Sequence, residues 1–323
     1  MDQMPYKVSI CIPTYNREKY LKRLIDSIIH QNWFSNEIQI IINDWPSIDS
    51  TELMVNNYQK KFSNIRYYRN NVAIWMMPAI LESISFSNWK YTWLFWSDDV
   101  MSKDALQKTL FVINSISPKI IISDRLVFCK EHEYECLELK PIDNINFKGF
   151  KEFWKYLWDS SQWKVEEKSD YFTFMSIFCF ETDYFKKCLN IIKASNDFDK
   201  FRLKINYFNY IYILYSSLYD QDIISLLRNN MVFAQSDNCW WKGNNNILED
   251  MKWLFNFLIL KYELDDNCNK LFKRIFRSRK IAILISKYIL NLRIVQFAKN
   301  NNYTSYIYKN ISKFIIKIIS VFS

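Results

Sequence analysis

Four short apolar runs fall within the first hundred residues, each separated from the next by a segment of helical period. This alternation limits the fold more than any other feature of the chain. KVSICI (7–12), EIQIIIN (37–43), NIRYYRN (64–70) and YTWLFW (91–96) are rich in β-branched and aromatic residues, the composition of buried strands. Between them, Tyr20, Leu21, Leu24, Ile25, Ile28 and Ile29 recur at helical spacing from about Glu18. Ser47 to Asp49 offers caps for a helix through Leu53, Met54 and Tyr58, and a third helix is expected over 78–86. Another helix, from about Ser102, leads into KIIIS (119–123). Repeated β-α units of this kind give an α/β fold, a mostly parallel sheet flanked by helices.

Such sheets bind ligands at the carboxyl ends of their strands, and here those ends are polar. The first run leads into Pro13-Thr14-Tyr15-Asn16-Arg17, the second ends in Asn43-Asp44, the third in Arg69-Asn70-Asn71 and the fourth in Ser97-Asp98-Asp99. The last is the most demanding, because neighbouring carboxylates repel and are costly near a core unless something cationic holds them. One reading is a solvated strand end leading to a helix cap near Ser102. The other is a hard-cation site, since magnesium or manganese is held by one or two carboxylates plus substrate phosphates.

Composition removes several alternatives. The chain has only two glycines, Gly149 and Gly243, so no glycine-rich phosphate loop can form. Its seven cysteines include no C-x-x-C pair, which suits a reducing, cytoplasmic setting better than a disulfide framework or a zinc site. Cys179 and Cys188 read as small packed hydrophobes, and His30 and His132 have no catalytic partner pattern. No secretory leader is expected, and the longest uncharged stretch, 205–219, is too short to span a bilayer. Residues 130–170 read as an irregular connection, YFTFMSIFCF (171–180) as a buried strand or core segment, and 182–230 as helical with a polar break at SNDFDK (195–200). Trp240-Trp241-Lys242-Gly243-Asn244 reads either as core or as an aromatic platform on which an acceptor sugar stacks.

The positive charge is concentrated at one end. From Lys261 onward there are 13 Lys or Arg against Glu263, Asp265 and Asp266, while the whole chain is +9. On a helical wheel Ile307, Ile311, Phe314, Ile315, Ile318 and Phe322 share one face and Lys309, Lys313 and Lys317 the opposite one. A basic amphipathic helix of this kind suits adsorption to an anionic membrane surface; the other reading is a helix packed on the domain or on another subunit. Interleaved aliphatics and the absence of a nucleic-acid motif argue against nucleic acid as the partner.

Taken in order and spacing, VSICIPTYNREKYLKRLIDSI, EIQIIINDWPSIDST, YYRNN and YTWLFWSDD resemble family 2 glycosyltransferases of the GT-A (Rossmann-like) fold. Within that family they are most similar to abequosyltransferase-like enzymes of bacterial surface polysaccharides. The resemblance, good over about 5–125 and weakening to about 245, implies a nucleotide-sugar-binding half over 1–125 and an acceptor-binding half over 126–247; the basic helical tail over 248–323 is set apart by its charge. It implies that Pro13, Thr14, Tyr15, Asn16 and Arg17 form the loop beneath the nucleotide. Asp44 would recognise the base, usually uracil, and Asn70 and Asn71 would line the ribose and diphosphate. Asp98 and Asp99 match the last two acids of a D-x-D-type motif, with Asp98 also on the nucleotide side and Asp99 the principal ligand of Mn2+ or Mg2+. The implied activity is inverting transfer from a nucleotide-sugar, UDP-linked in most relatives, to a saccharide or lipid-linked acceptor at the cytoplasmic membrane face.

The departures from the family pattern are specific. Ser97 stands at the first acid of D-x-D, Ala73 at a common glycine, and Asn43-Asp44-Trp45-Pro46-Ser47 where D-D-G-S is usual. The acid pair that supplies the base in relatives has no counterpart in NYFNYIYIL (206–214). Asp197 and Asp199 are the nearest candidates, followed by Asp170, Asp220, Asp222 and Asp237. Two rival readings follow: a relative that binds nucleotide-sugar without catalysis, as a scaffold, and a nucleotidyltransferase, which would want a phosphate-gripping loop this chain lacks.

Overall fold

A computed structural model describes residues 8–35, 37–72, 76–128, 144–159, 171, 174–194, 209–216 and 218–235, with Leu254, Leu258 and Tyr262. The chain divides into two compact units, one of residues 1–160 and 171–238 and one of residues 161–170 and 239–323. In the second unit the described residues are Leu254, Leu258 and Tyr262, buried helical positions four apart, one face of a helix.

Among the described residues the first unit is built on a nine-stranded sheet. Its opening half alternates β1 (Val8–Thr14), α1 (Glu18–Ile29), β2 (Ile38–Asp44), α2 (Thr51–Gln59), β3 (Ile65–Arg69), α3 (Met76–Ser85) and β4 (Tyr91–Leu94). After β4 come β5 (Val100–Met101), α4 (Ala105–Ile116), β6 (Ile120–Phe128), β7 (Asn144–Lys148) and α5 (Gly149–Asp159). A 3-10 turn (Met175–Ile177) then leads into β8 (Phe178–Glu181), α6 (Thr182–Ala194), α7 (Asn209–Ser216) and β9 (Ile223–Gln235). The strand order is β3-β2-β1-β4-β8-β6-β9-β5, with β7 also on β9. β1 pairs in parallel with β2 and β4, and β2 with β3. β8 is antiparallel to both of its neighbours, so β6 points the same way as β4, and β9 pairs in parallel with β6. The α/β, mostly parallel architecture expected from the sequence is therefore present.

β1 is buried at all seven positions, as a central parallel strand covered on both faces must be. Val8, Ile10 and Ile12 join Leu21, Leu24, Ile25 and Ile28 of α1 and Leu106 and Leu110 of α4 in one core. On the other face the Cys11 thiol lies under α3, 3.3 Å from the Ser83 carbonyl oxygen. Burial pushes the Cys11 and Cys179 thiols up, and Cys188 is buried too, so these cysteines act as small hydrophobes. Pro13 sits in a central strand without breaking a ladder. The pairing of β1 with β4 stops at Cys11 opposite Leu94, so the missing N–H of Pro13 falls where β4 no longer runs.

Three local expectations change. Residues 182–230 are not all helical: β9 begins at Ile223, because a short apolar run such as IISLL serves strand and helix equally until partners on both sides decide it. The stretch 130–170 is not wholly irregular, since Asn144–Lys148 adds to β9 and Gly149–Asp159 is a helix with one apolar face. The fourth strand ends at Leu94 rather than residue 96, because the Trp96 N–H turns away to the Ser176 hydroxyl at 2.8 Å.

Gly149 opens α5 at φ +67°, where an added Cβ would meet Asp220 Cα at 3.0 Å and the Tyr219 carbonyl oxygen at 3.1 Å. Gly149→Ala is therefore expected to destabilise the chain by about 1–3 kcal/mol in urea unfolding. An unchanged midpoint would contradict this account of the β7–α5 corner.

Candidate functional site

The carboxyl ends of β1, β2, β3 and β4 open on one edge, and hydrogen bonds tie down the residues that follow them. The Trp45 N–H donates to the Thr14 carbonyl at 2.9 Å and the Asn70 N–H to the Asp44 carbonyl at 2.9 Å, extending the ladder past the strands. Asp44 has no solvent exposure. Its carboxylate accepts from the Ser47 N–H at 3.3 Å, from the Ser47 hydroxyl, from Tyr67 Oη at 2.6 Å and from Arg69 Nη1 at 3.5 Å. A second Arg69 nitrogen donates to the Ser47 carbonyl at 2.9 Å, and Glu52 lies 3.2 Å from the same guanidinium. Burial raises the Tyr67 hydroxyl pKa, and its bond to Asp44 raises it further, so Tyr67 remains a donor.

The loop after β1 is fixed by side chains rather than glycine. Asn16 takes φ +50°, a left-handed conformation that asparagine tolerates better than most residues. Its N–H donates to the Ser47 hydroxyl at 2.8 Å, while its side-chain oxygen accepts from the Ile48 N–H at 2.8 Å. Tyr15 is exposed, with its ring 6.2 Å from that of Trp45 at an interplanar angle of 32°. Thr14 Oγ1 and Trp45 Nε1 are buried polar atoms with no hydrogen-bond partner among the described residues. Asn70 donates to the Asn43 side chain at 2.9 Å, and Asn43 donates onward to the Ala79 carbonyl and to Glu82. Asn71 lies exposed just beyond it.

The two aspartates after β4 part company. Asp98 Oδ2 accepts from Arg17 Nη1 at 3.1 Å, and Arg23 donates to the Asp98 carbonyl at 2.7 Å. Burial pushes the Asp98 carboxyl up, and the Arg17 guanidinium pulls against that shift. Asp99 is buried and accepts from the Ser176 hydroxyl, whose oxygen in turn receives the Trp96 N–H. The cation that the sequence demanded beside this pair is thus, for Asp98, a basic side chain. For a divalent ion the donor chemistry also fits, because Asp99 and Asp98 offer only hard oxygens and magnesium or manganese is ordinarily completed by substrate phosphates. Among the described residues no cluster of three or more His, Cys, Asp and Glu is preassembled for a metal.

Pro13, Thr14, Tyr15, Asn16, Arg17, Asp44, Asn70, Asn71, Asp98 and Asp99 are thus brought to one edge. Asp197 and Asp199 lie outside the described residues, as do Asp170, Asp237, the Trp240–Asn244 stretch and the basic tail. Asp220 and Asp222 precede β9, whose amino end lies beside that of β6 through the Lys119 N–H to Ile223 carbonyl bond, 2.8 Å. That is the edge opposite Asp99. Sequence reasoning missed Tyr67 and Ser176, placed Arg69 only at a strand end and gave Ser47 only a capping role, without their bonds to the two acids. The bonds of Ser47, Tyr67 and Arg69 were legible in principle, because a buried acid at a strand end needs donors on the adjacent loop and strand; Ser176 came from too far along the chain.

The family model for glycosyl transferase family 2 matches residues 9–189, and the chain belongs to that family. The Salmonella typhimurium abequosyltransferase RfbV is 42% identical over 100 residues, which cover 31% of this chain and 30% of that protein. The poly(ribitol-phosphate) beta-glucosyltransferase of Bacillus spizizenii is 31% identical over 101 residues, 31% of this chain and 16% of that one. The chain thus spans about a third or less of the length of these curated relatives. Among solved structures, S. aureus TarS 1–349 in complex with UDP-GlcNAc matches with a TM-score of 0.55 at 16% identity, covering 84% of this chain and 72% of that one. The mannosyltransferase PcManGT from Pyrobaculum calidifontis, in complex with GDP-Man and Mn2+, matches with 0.53 at 10% identity, covering 97% and 86%. The fold is that of the GT-A glycosyltransferases.

Tyr67→Phe leaves the buried Asp44 carboxylate short of a donor and is expected to cost about 1–3 kcal/mol of stability. Denaturant unfolding of that variant checks it; a loss below about 0.5 kcal/mol would mean that Asp44 does not depend on Tyr67.

Proposed function

We propose that this protein transfers a sugar from a nucleotide donor, most simply a UDP-sugar, to a saccharide or lipid-linked acceptor in the synthesis of a bacterial surface glycan. The observation that carries this reading is the single edge that holds an exposed aromatic, unsatisfied buried polar atoms and an acidic pair together. Tyr15 offers a face for a base to stack on, and Thr14 Oγ1 and Trp45 Nε1 are buried groups that a nucleotide could satisfy. Asp44 shapes the base corner, and Asn70 and Asn71 border the path from ribose to diphosphate. Arg17 supplies a positive charge near the phosphates, held in place by Asp98.

Asp99, with Asp98 beside it, is where Mn2+ or Mg2+ would be held. When bound, the ion would act as a Lewis acid that neutralises charge on the departing diphosphate. Inversion at the anomeric carbon follows the family resemblance, with a carboxylate base taking the proton of the acceptor hydroxyl. The relatives named for abequosyl and poly(ribitol-phosphate) glucosyl transfer support a surface-glycan acceptor. No helix among the described residues is long and apolar enough to cross a membrane. The lysine-faced tail is instead proposed to hold the protein on the anionic inner face of the cytoplasmic membrane.

Calorimetric titration with UDP, with and without Mn2+, tests the donor site. The expected result is binding that Mn2+ strengthens by tenfold or more, with Asp99→Ala removing that increment. UDP binding that ignores both metal and mutation would reduce the acidic pair to a strand end; no binding of UDP or any other nucleoside diphosphate would overturn the transferase reading.

A further inference from the structure

At the boundary between the two halves the described residues contain a further carboxylate, Asp124, outside the nucleotide corner described above. Asp124 lies on β6, where the register of β6 on β9 shifts between Ser123 and Arg125. Two independent strand paths locate it relative to the acidic pair. Across β8, Trp93 pairs with Cys179 and Cys179 with Ile121. Across β9, Met101 pairs with Val232 and Val232 with Arg125. Each path crosses two inter-strand spacings, so Trp93 stands about 10 Å from Ile121 and Met101 about 10 Å from Arg125; Asp99 lies just before Met101 and Asp124 just before Arg125. The 3-10 turn bridges them, with Ser176 on Asp99 and the Ser123 hydroxyl on the Ile177 carbonyl.

Asp124 is held in position by two side chains. Tyr171 Oη donates to its Oδ1 at 2.6 Å, and Arg228 Nε lies 3.9 Å from Oδ2. Arg228 also reaches Tyr156 Oη at 3.5 Å, and the Arg125 guanidinium stacks over Phe174 at 4.2 Å. The carboxylate retains 20% exposure, so it is neither sealed in the core nor loose on the surface. Apolar packing does not require a charged tyrosine–aspartate–arginine chain at this register shift.

From this geometry we infer that Asp124 is the catalytic base of the transfer, an assignment that rests on the donor reading above. In-line displacement needs a gap between the base and the departing diphosphate. The base must lie about 2.7 Å from the attacking hydroxyl, and that oxygen about 3 Å from the anomeric carbon. The diphosphate leaves on the far side, toward Arg17 and Asp99. As the acceptor oxygen bonds to the anomeric carbon, its proton passes to the Asp124 carboxylate. The bond from the anomeric carbon to the phosphate oxygen breaks, and its electron pair leaves on the nucleoside diphosphate. Tyr171 and Arg228 are positioning residues that aim the carboxylate.

The test measures UDP release from whichever UDP-sugar of a panel the wild-type protein hydrolyses or transfers, alongside UDP binding by calorimetry. Asp124→Asn should bind UDP within threefold of wild type yet release it at least about 100-fold more slowly. Asp124→Glu, which restores a carboxylate, should recover part of the rate. Retention by Asp124→Asn of a tenth or more of the wild-type rate overturns the assignment. Loss of UDP binding in both variants also overturns it, making Asp124 a structural strut. Absence of UDP binding in the wild-type protein counts against the donor site instead, so the two failures are distinguishable.

Discussion

Two carboxylates buried at the ends of parallel strands govern how this site is built. An aspartate out of water is costly unless donors or cations surround it, and Asp44 and Asp99 are both out of water. The chain answers with short-range donors for Asp44, from Ser47, Tyr67 and Arg69, and with a long-range donor for Asp99, from Ser176. Each answer ties down a different segment. Satisfying Asp44 fixes the loop after β2 against the end of β3, and through Ser47 the turn at Asn16. Satisfying Asp99 pins the 3-10 turn before β8 to the end of β4. The charges suited to handling a nucleotide are thus also the fasteners of the edge.

Strand lengths create the room for chemistry. β4 stops opposite Cys11 while β1 continues to Thr14, so the chain beyond Leu94 can diverge from β1. Insertion of the antiparallel β8 between β4 and β6 then moves the next parallel strand end two spacings away. One side of the resulting edge is lined by the proposed nucleotide corner and the other by Asp124, Tyr171 and Arg228.

How much of this was legible follows the same division. The strand ends at Asn43-Asp44 and Ser97-Asp98-Asp99, and the P-T-Y-N-R loop, could be read because each is a local pattern of apolar run and polar stop. The β-α alternation up to β6 was legible for the same reason. β9 was not, because IISLL carries no period that separates strand from helix without its partners β6 and β7. The link between Asp99 and Ser176 spans 77 residues and depends on the order of β4, β8 and β6, which no local pattern states. Asp124 did leave a trace: IIISD repeats the apolar-run-then-acid form of IIIND and LFWSD. Reading KIIIS as ending at residue 123 stopped one position short of it.

The central claim is that a nucleotide lies across the ends of β1, β2 and β4, its base by Tyr15 and Asp44 and its diphosphate by Arg17 and Asp99. Anomalous scattering at the manganese edge, from crystals grown with UDP and Mn2+, measures this directly. The account predicts one manganese peak about 2.1 Å from a carboxylate oxygen of Asp99, with the diphosphate completing its coordination and uracil against Tyr15. A nucleotide bound at the opposite edge of the sheet, or an ion remote from Asp99, would contradict it.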